Sequence, residues 1–280
     1  MSKSTNVQLK REDGAGAVYS HQENPAFEAW MARRTAASAA AFFLPHLRPH
    51  MQLLDLGCGP GTITQGLAEA VAPGCVVGID FQSSQVGKAQ TLARERGIAN
   101  MCCAEGDANH LPFASQSFDA VFAHGVLMHM SKPLDVLKEL RRVLRPGGFA
   151  GVRDPDLGVG VLTPQTSLSE RARELRIRVR QHNGSDPFVP RDYRRLLLEA
   201  GFQRAVATAS LECAGSPEET RSAAAWMVDQ HRDLSRTALA EGWVTQAEVD
   251  AIAAELEAWG ERPDGFSATL WCEAIGWVKR

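Results

Sequence analysis

The chain has 280 residues, 44% hydrophobic and 22% charged, with a formal net charge of −3. That is enough apolar material for a sizeable core, and the near-neutral charge gives no field that calls for a nucleic-acid partner. The opening "MSKSTNVQLKREDGAGAVYS" lacks an apolar signal core, and the longest apolar block, residues 36–44, is far short of the ~20 residues of a membrane span.

Residues 1–17 are polar and aperiodic, and read as a flexible arm long enough to exchange between copies of the chain in a homo-oligomer. Residues 18–280 read as one domain. "NPAFEAWMARRTAASAAAFFL" predicts a helix from an N-cap at Asn24 to the stop at Pro45. "MQLLDLG" is a buried strand, "GTITQGLAEAVA" a helix, "CVVGID" a strand, and "SSQVGKAQTLARERG" a helix stopped by Gly97. "MCCAEGD" and "FDAVFAHGVL" are the third and fourth strands, "PLDVLKELRRVLRPGG" a helix with its stop, and "FAGVRD" the fifth strand. Strand and helix alternate over short connections, which predicts a parallel α/β sheet covered on both faces.

Residues 155–190 interrupt the alternation with a helix of their own, opened by Ser167 and Glu170 as a capping box, with Leu168, Ala172, Leu175 and Val179 on one face. An insertion after a parallel strand's carboxyl end lies over the ligand crevice, so this one reads as a substrate lid. "RDYRRLLLEAGF" and "QRAVATASL" resume the pattern. A helical segment over residues 216–262, with capping boxes at Ser216/Glu219 and Thr245/Glu248, precedes the last strand, "FSATLWCEAIGWV". The six cysteines form no CxxC pair and the eight histidines no metal spacing, which suits free thiols in a reducing cytoplasm and no metal site.

"LLDLGCGPGTIT" places glycines at 57, 59 and 61 directly after a buried strand, where a nucleotide can approach the backbone and the next helix offers free N–H groups. Asp80 ends the second strand, positioned to accept a ribose diol, and Asp107 follows the third. The dinucleotide fingerprint G-x-G-x-x-G/A is not met: the third glycine is one place early and Thr62 stands where a small residue belongs. Asp55, two residues before the first glycine, suits a cationic tail better than a pyrophosphate.

The stretches "LLDLGCGPG", "VVGID", "EGDANHLPF", "SFDAVFAHGVLMHM" and "LRRVLRPGGF", in this order and spacing, resemble the class I S-adenosylmethionine-dependent methyltransferases, of the quinone- and sterol-type small-molecule branch. The resemblance implies a Rossmann-like, doubly wound seven-stranded sheet, mostly parallel with an antiparallel last strand, plus an N-terminal helix and a helical lid insertion. It implies that Asp55, Gly57, Cys58 and Gly59 line the methionine end of S-adenosylmethionine, Asp80 holds the ribose and Phe81 lies against the adenine. Asp107 and Ala108 would face the adenine amino group. His124 and Gly125 would border the sulfonium, and Tyr19 would close over the cofactor.

Methyl transfer needs a positioned acceptor, and a base where the acceptor is weakly acidic. His124, His129 and Asp154 are the candidate acid/base residues, with His21 and Arg153 at the mouth of the crevice. On the lid helix Arg173 and Arg176, with Arg180 on the same side, offer a clamp for an anionic acceptor group. The tryptophans read as packing residues. The expected activity is O- or C-methylation of a small molecule: a secondary metabolite, quinone or isoprenoid-like compound. The rivals are an NAD(P)-dependent oxidoreductase and a non-catalytic scaffold or regulator. The set Asp55, Asp80 and Asp107 speaks against a decayed site.

Overall fold

The computed structural model describes Met31 and residues 33–280. The exchangeable arm, Tyr19, His21 and the expected cap at Asn24 lie outside the described residues. Where the sequence predicts one helix running on to Pro45, the chain restarts at Thr35, which caps a short helix α1 (Ala36–Ala39) in a reciprocal box with Ser38. The two hydroxyl side chains take the backbone N–H groups that a continuous helix would have used.

Next come β1 (Leu53–Leu56), α2 (Thr62–Val71), β2 (Val76–Asp80), α3 (Ser83–Glu95), β3 (Met101–Glu105), β4 (Phe118–His124) and α4 (Pro133–Val143). β5 (Leu144–Thr163) follows, then α5 (Ser167–His182), α6 (Tyr193–Glu199), β6 (Arg204–Ala214), α7 (Pro217–Ala240), α8 (Gln246–Gly260) and β7 (Phe266–Trp277). The seven strands form one sheet in the order β3-β2-β1-β4-β5-β7-β6. The five strands β1–β5 are parallel to their neighbours, and β7 runs antiparallel to both β5 and β6. The strand order reverses between β1 and β4, and such a switch point opens a crevice at the strands' carboxyl ends.

Apolar side chains alternate onto the two faces and bury both. Leu53, Val76 and Phe122 pack with Phe43, Leu67 and Ala89 on one face, and Leu54, Ile79 and Val121 with Leu137, Leu140 and Leu197 on the other. Gly61, at φ +85°, caps α2, and a Cβ there would stand 3.0 Å from Ala89 Cβ. The early third glycine therefore serves close packing of the loop against α3.

β5 does not stop after "FAGVRD". It runs on to Thr163 and pairs with β7, which β6 flanks on its other side, as a long extension beyond the parallel strands. α5 is capped by Thr166 with Ser169, not by Ser167 with Glu170, because Thr166 has the extended backbone an N-cap needs. The face expected to pack does so: Leu175 and Val179 are buried against Val228, Leu234 and Ile252 of α7 and α8, with Leu168 and Ala172 beside them. Among the described residues no helix is long and apolar enough to cross a membrane.

Candidate functional site

A cavity of about 490 Å³ lies at the carboxyl ends of β1, β2 and β4 and reaches across to α5, α7 and β7. Its first wall is the glycine loop. Gly57 N–H and Cys58 N–H both donate to the Ile79 carbonyl, at 2.7 and 3.1 Å, and lay the loop across the end of β2. Gly57 sits at φ +72°, and a Cβ there would come 2.3 Å from Val126 Cγ2, so only glycine fits. Asp80 accepts Gly59 N–H on one carboxylate oxygen and Gln82 N–H on the other, each at 2.9 Å. These bonds fix the carboxylate and leave each oxygen with capacity for another donor. Burial raises Asp80 above the ordinary carboxylate range, and the backbone donors partly offset it.

Asp55 is 3% exposed, accepts the Thr64 hydroxyl at 2.6 Å, and forms no ion pair among the described residues. Burial, reinforced by the charge of Asp80, pushes its carboxyl up to about 7. A buried acid on a cavity wall is a seat for a cationic group, which would restore its charge. Cys58 is buried beside it, its thiol bonded to Cys103 and pushed up. Phe81, a large apolar side chain left 43% exposed, stands at the lip next to Asp80. Gln85 lies on this wall with a buried Oε1 that has no partner among the described residues. A pinned carboxylate, an aromatic ring at the lip, a buried amide oxygen and a cation seat fit a nucleoside with a cationic tail.

Two residues expected here are elsewhere. Asp107 does not line the cavity: its carboxylate accepts the backbone and side-chain N–H groups of Asn109, at 3.0 and 2.9 Å, and closes a turn. Ala108 is buried in the core with Ile79 and Leu111. The turn-forming chemistry of aspartate wins over ligand contact at this strand end.

His124 and Gly125 end β4 on the cavity wall, and His129 follows on a single helical turn, Leu127–His129. Burial and the charges of Arg34 and Arg153 hold His124 well below the ordinary histidine value, so its ring is neutral. Arg153 Nη1 lies 3.4 Å from His124 Nδ1. A guanidinium only donates, so Nδ1 accepts and the ring proton sits on Nε2, which is buried without a partner. His124 thus presents an N–H donor, not a base. His129 Nδ1 lies 3.3 Å from Arg180 Nη1.

Asp154, expected as an acid/base, is fully buried and does not line the cavity. It accepts the Tyr193 hydroxyl and faces the amides of Leu127 and Met128, and burial raises it to about 7. It ties β5 to α6 and to the His129 turn. Strand alternation puts it on the opposite face of β5 from the wall residues Pro155 and Arg153. Arg153 pairs with Glu273 at 3.1 Å and lies 4.2 Å over the Trp271 ring.

On α5, Arg173 is exposed, donates to the Gly158 carbonyl and stays off this cavity. Arg176 lines it, 5.2 Å over the Trp226 ring, with Arg180 one turn on. Burial and the charge of Arg180 pull Arg176 down to about 9. The sequence reading missed Trp226 and Trp271 as wall residues. Period-two alternation on β7 carried the signal: Ser267, Thr269 and Trp271 share the face that turns inward, and Glu273 continues it towards Arg153.

The chain matches the methyltransferase domain family over residues 47–186. It is 30% identical over 273 residues to an Aspergillus luteorubrus methyltransferase, covering 87% of this chain and 91% of that one. Over 101 residues it is 40% identical to the demethylmenaquinone methyltransferase of Lactobacillus johnsonii, 35% of this chain and 41% of that one. In fold it is similar to the YcgJ protein of Bacillus subtilis, with a TM-score of 0.57 at 15% identity, over 86% of this chain and 98% of the other.

Proposed function

We propose an acceptor and a division of labour from one premise: the chain belongs to the class I S-adenosylmethionine-dependent methyltransferases, and S-adenosylmethionine is its cofactor. In our reading it methylates a small molecule on oxygen or carbon, within the 490 Å³ cavity. The observation that carries this is Asp80, pinned by the Gly59 and Gln82 amides at the edge of a cavity that continues well past the glycine loop. The relative that acts on demethylmenaquinone supports a small acceptor. A cytoplasmic site belongs to the same reading, since the six cysteines are all unpaired.

Bound S-adenosylmethionine supplies a methyl group already activated by its sulfonium. The protein's own residues then bind, orient and exclude water. Asp80 would hold the ribose hydroxyls, Phe81 would cover the adenine and Asp55 would face the ammonium group. His124 Nε2–H and Trp271 Nε1–H aim donors at the acceptor's oxygens. With Asp154 behind the wall and His124 donating, the site suits an acceptor whose reacting atom is already nucleophilic, such as an acidic hydroxyl or a stabilised carbanion. Calorimetry with S-adenosylhomocysteine and with NAD tests the premise: the first binds and the second does not. Turnover of radiolabelled methyl over a panel of phenols, enols and quinols tests the acceptor. Tight binding with no turnover of any of them would count against the proposal.

A further inference from the structure

Each of three other arginines around β5 and α5 has an acid. Arg153 meets Glu273 at 3.1 Å, Arg171 meets Glu248 at 2.8 Å and Arg191 meets Asp156 at 2.6 Å. Arg176 has none among the described residues. It rests on Trp226, its Nε is buried without a hydrogen-bond partner, and its charged neighbour is Arg180, of the same sign. Burying a guanidinium without an anion costs several kcal/mol, so a structure that keeps one leaves a place for an anion. The acids on the cavity wall lie elsewhere: Asp55 and Asp80 at the glycine loop, Glu212 on the exposed edge strand, and Glu219 holding the amides of Gly215 and Ser216.

Arg176 is also a divider. A second cavity of about 250 Å³ lies on its far side, between the β5–β7 extension and helices α5, α7 and α8. The two cavities share Arg176, Trp226, Met227, Gln230, Ser267 and Thr269. Beyond that partition Val161, Leu175, Leu234 and Leu256 form an apolar stretch of wall, with Asp156, Glu170 and Arg173 also on the lining. An unpartnered cation stands between the chamber at the strand ends and the one under α5.

We propose that the acceptor is an amphiphilic organic acid whose oxyanion, a carboxylate or a phosphate monoester, lies on Arg176, and whose apolar part extends into the second cavity. This rests on the methyl-transfer reading of the first cavity and specifies its substrate class. Arg173 also lines the second cavity, but it is exposed and donates to the Gly158 carbonyl, so the oxyanion is assigned to Arg176.

The test uses the full-length protein saturated with S-adenosylhomocysteine, whose own binding is measured first, so that failure of the cofactor reading is seen separately. Decanoate, decyl phosphate and phenylpropanoate are then titrated against the neutral decanamide and phenylpropanamide. At least one acid binds about tenfold or more tighter than its neutral partner, as a charge-assisted hydrogen bond implies. Arg176→Gln reduces that preference to near unity while S-adenosylhomocysteine binds unchanged, Arg176→Lys keeps part of it, and Arg173→Gln keeps all of it. The acid that gains most tells carboxylate from phosphate. If Arg176 only stacks on Trp226, Arg176→Gln lowers the melting temperature and leaves the acid-to-amide ratio unaltered, which overturns the proposal. So does a wild-type protein that binds no acid better than its amide.

Discussion

The two ends of the main cavity are set with opposite charge. At the glycine loop the buried groups are carboxylates, Asp55 and Asp80, with no cationic side chain paired to either among the described residues. Across the cavity the polar atoms are donors: His124 Nε2, Trp271 Nε1 and the Arg176 guanidinium. The first end is built from short backbone turns in which a single residue type fits. The second is built from side chains of β5, β7, α5 and α7, brought together only by the long β5–β7 pairing. One end is matched to a cationic nucleoside, the other to an oxygen-rich, acidic acceptor.

The largest expected effect falls on the carboxylate end. Asp80→Ala removes the ribose contacts and frees the Gly59 and Gln82 amides, and should weaken S-adenosylhomocysteine by about a hundredfold or more in calorimetry. A loss below tenfold would mean that Asp80 only braces the loop. Gly57→Ala comes next. Its new Cβ meets Val126 and its φ is positive, so stability should drop by about 1–3 kcal/mol in urea unfolding, with weaker cofactor binding.

Asp55 sharpens the contrast through pH. Its folded-state value of about 7 lies above the ordinary 3.8. A raised carboxyl holds its proton in the folded state, so its favourable contribution is full below about pH 4 and is lost as pH rises through about 7. Asp154, raised for the same reason, acts in the same direction. The free protein should therefore lose stability between about pH 4 and 7, and Asp55→Asn should flatten that slope. A cationic ligand ionises Asp55, so S-adenosylhomocysteine should release up to about one proton near pH 6 and little near pH 8, as read from calorimetry in buffers of different ionisation heat. Proton release unchanged in Asp55→Asn would remove the ammonium from this seat. The smallest effect is that of Asp154→Asn: S-adenosylhomocysteine affinity within about twofold of wild type, with a change in melting temperature only, because the group braces β5 against α6.

This contrast also marks where the sequence could be read. The glycine loop, Asp55 and Asp80 act within a few residues of where they stand, so their spacing carried their geometry. Asp107 stands off the cavity, with its Oδ1 drawn into a local turn by Asn109, a role that its place after the strand did not reveal. Asp154 stands behind the wall because strand alternation turns it to the opposite face from Arg153 and Pro155, and which face of β5 meets the cavity is set by its pairing with β7, more than a hundred positions away. The donor end was hardest. Arg173 and Arg176 are equivalent as letters on one helix face, and only the packing of α5 on α7 puts Arg176 over Trp226 on both cavities and leaves Arg173 on the second alone.

A crystal structure of the S-adenosylhomocysteine complex tests the central claim most directly. Cofactor density should run along the glycine loop, with the ribose hydroxyls on Asp80 and the amino group beside Asp55, and with His124, Trp271 and Arg176 facing cavity that the cofactor does not fill. Density that instead crosses to Arg176 and Trp226, with the carboxylate of the ligand on the guanidinium and Asp80 unused, would contradict it.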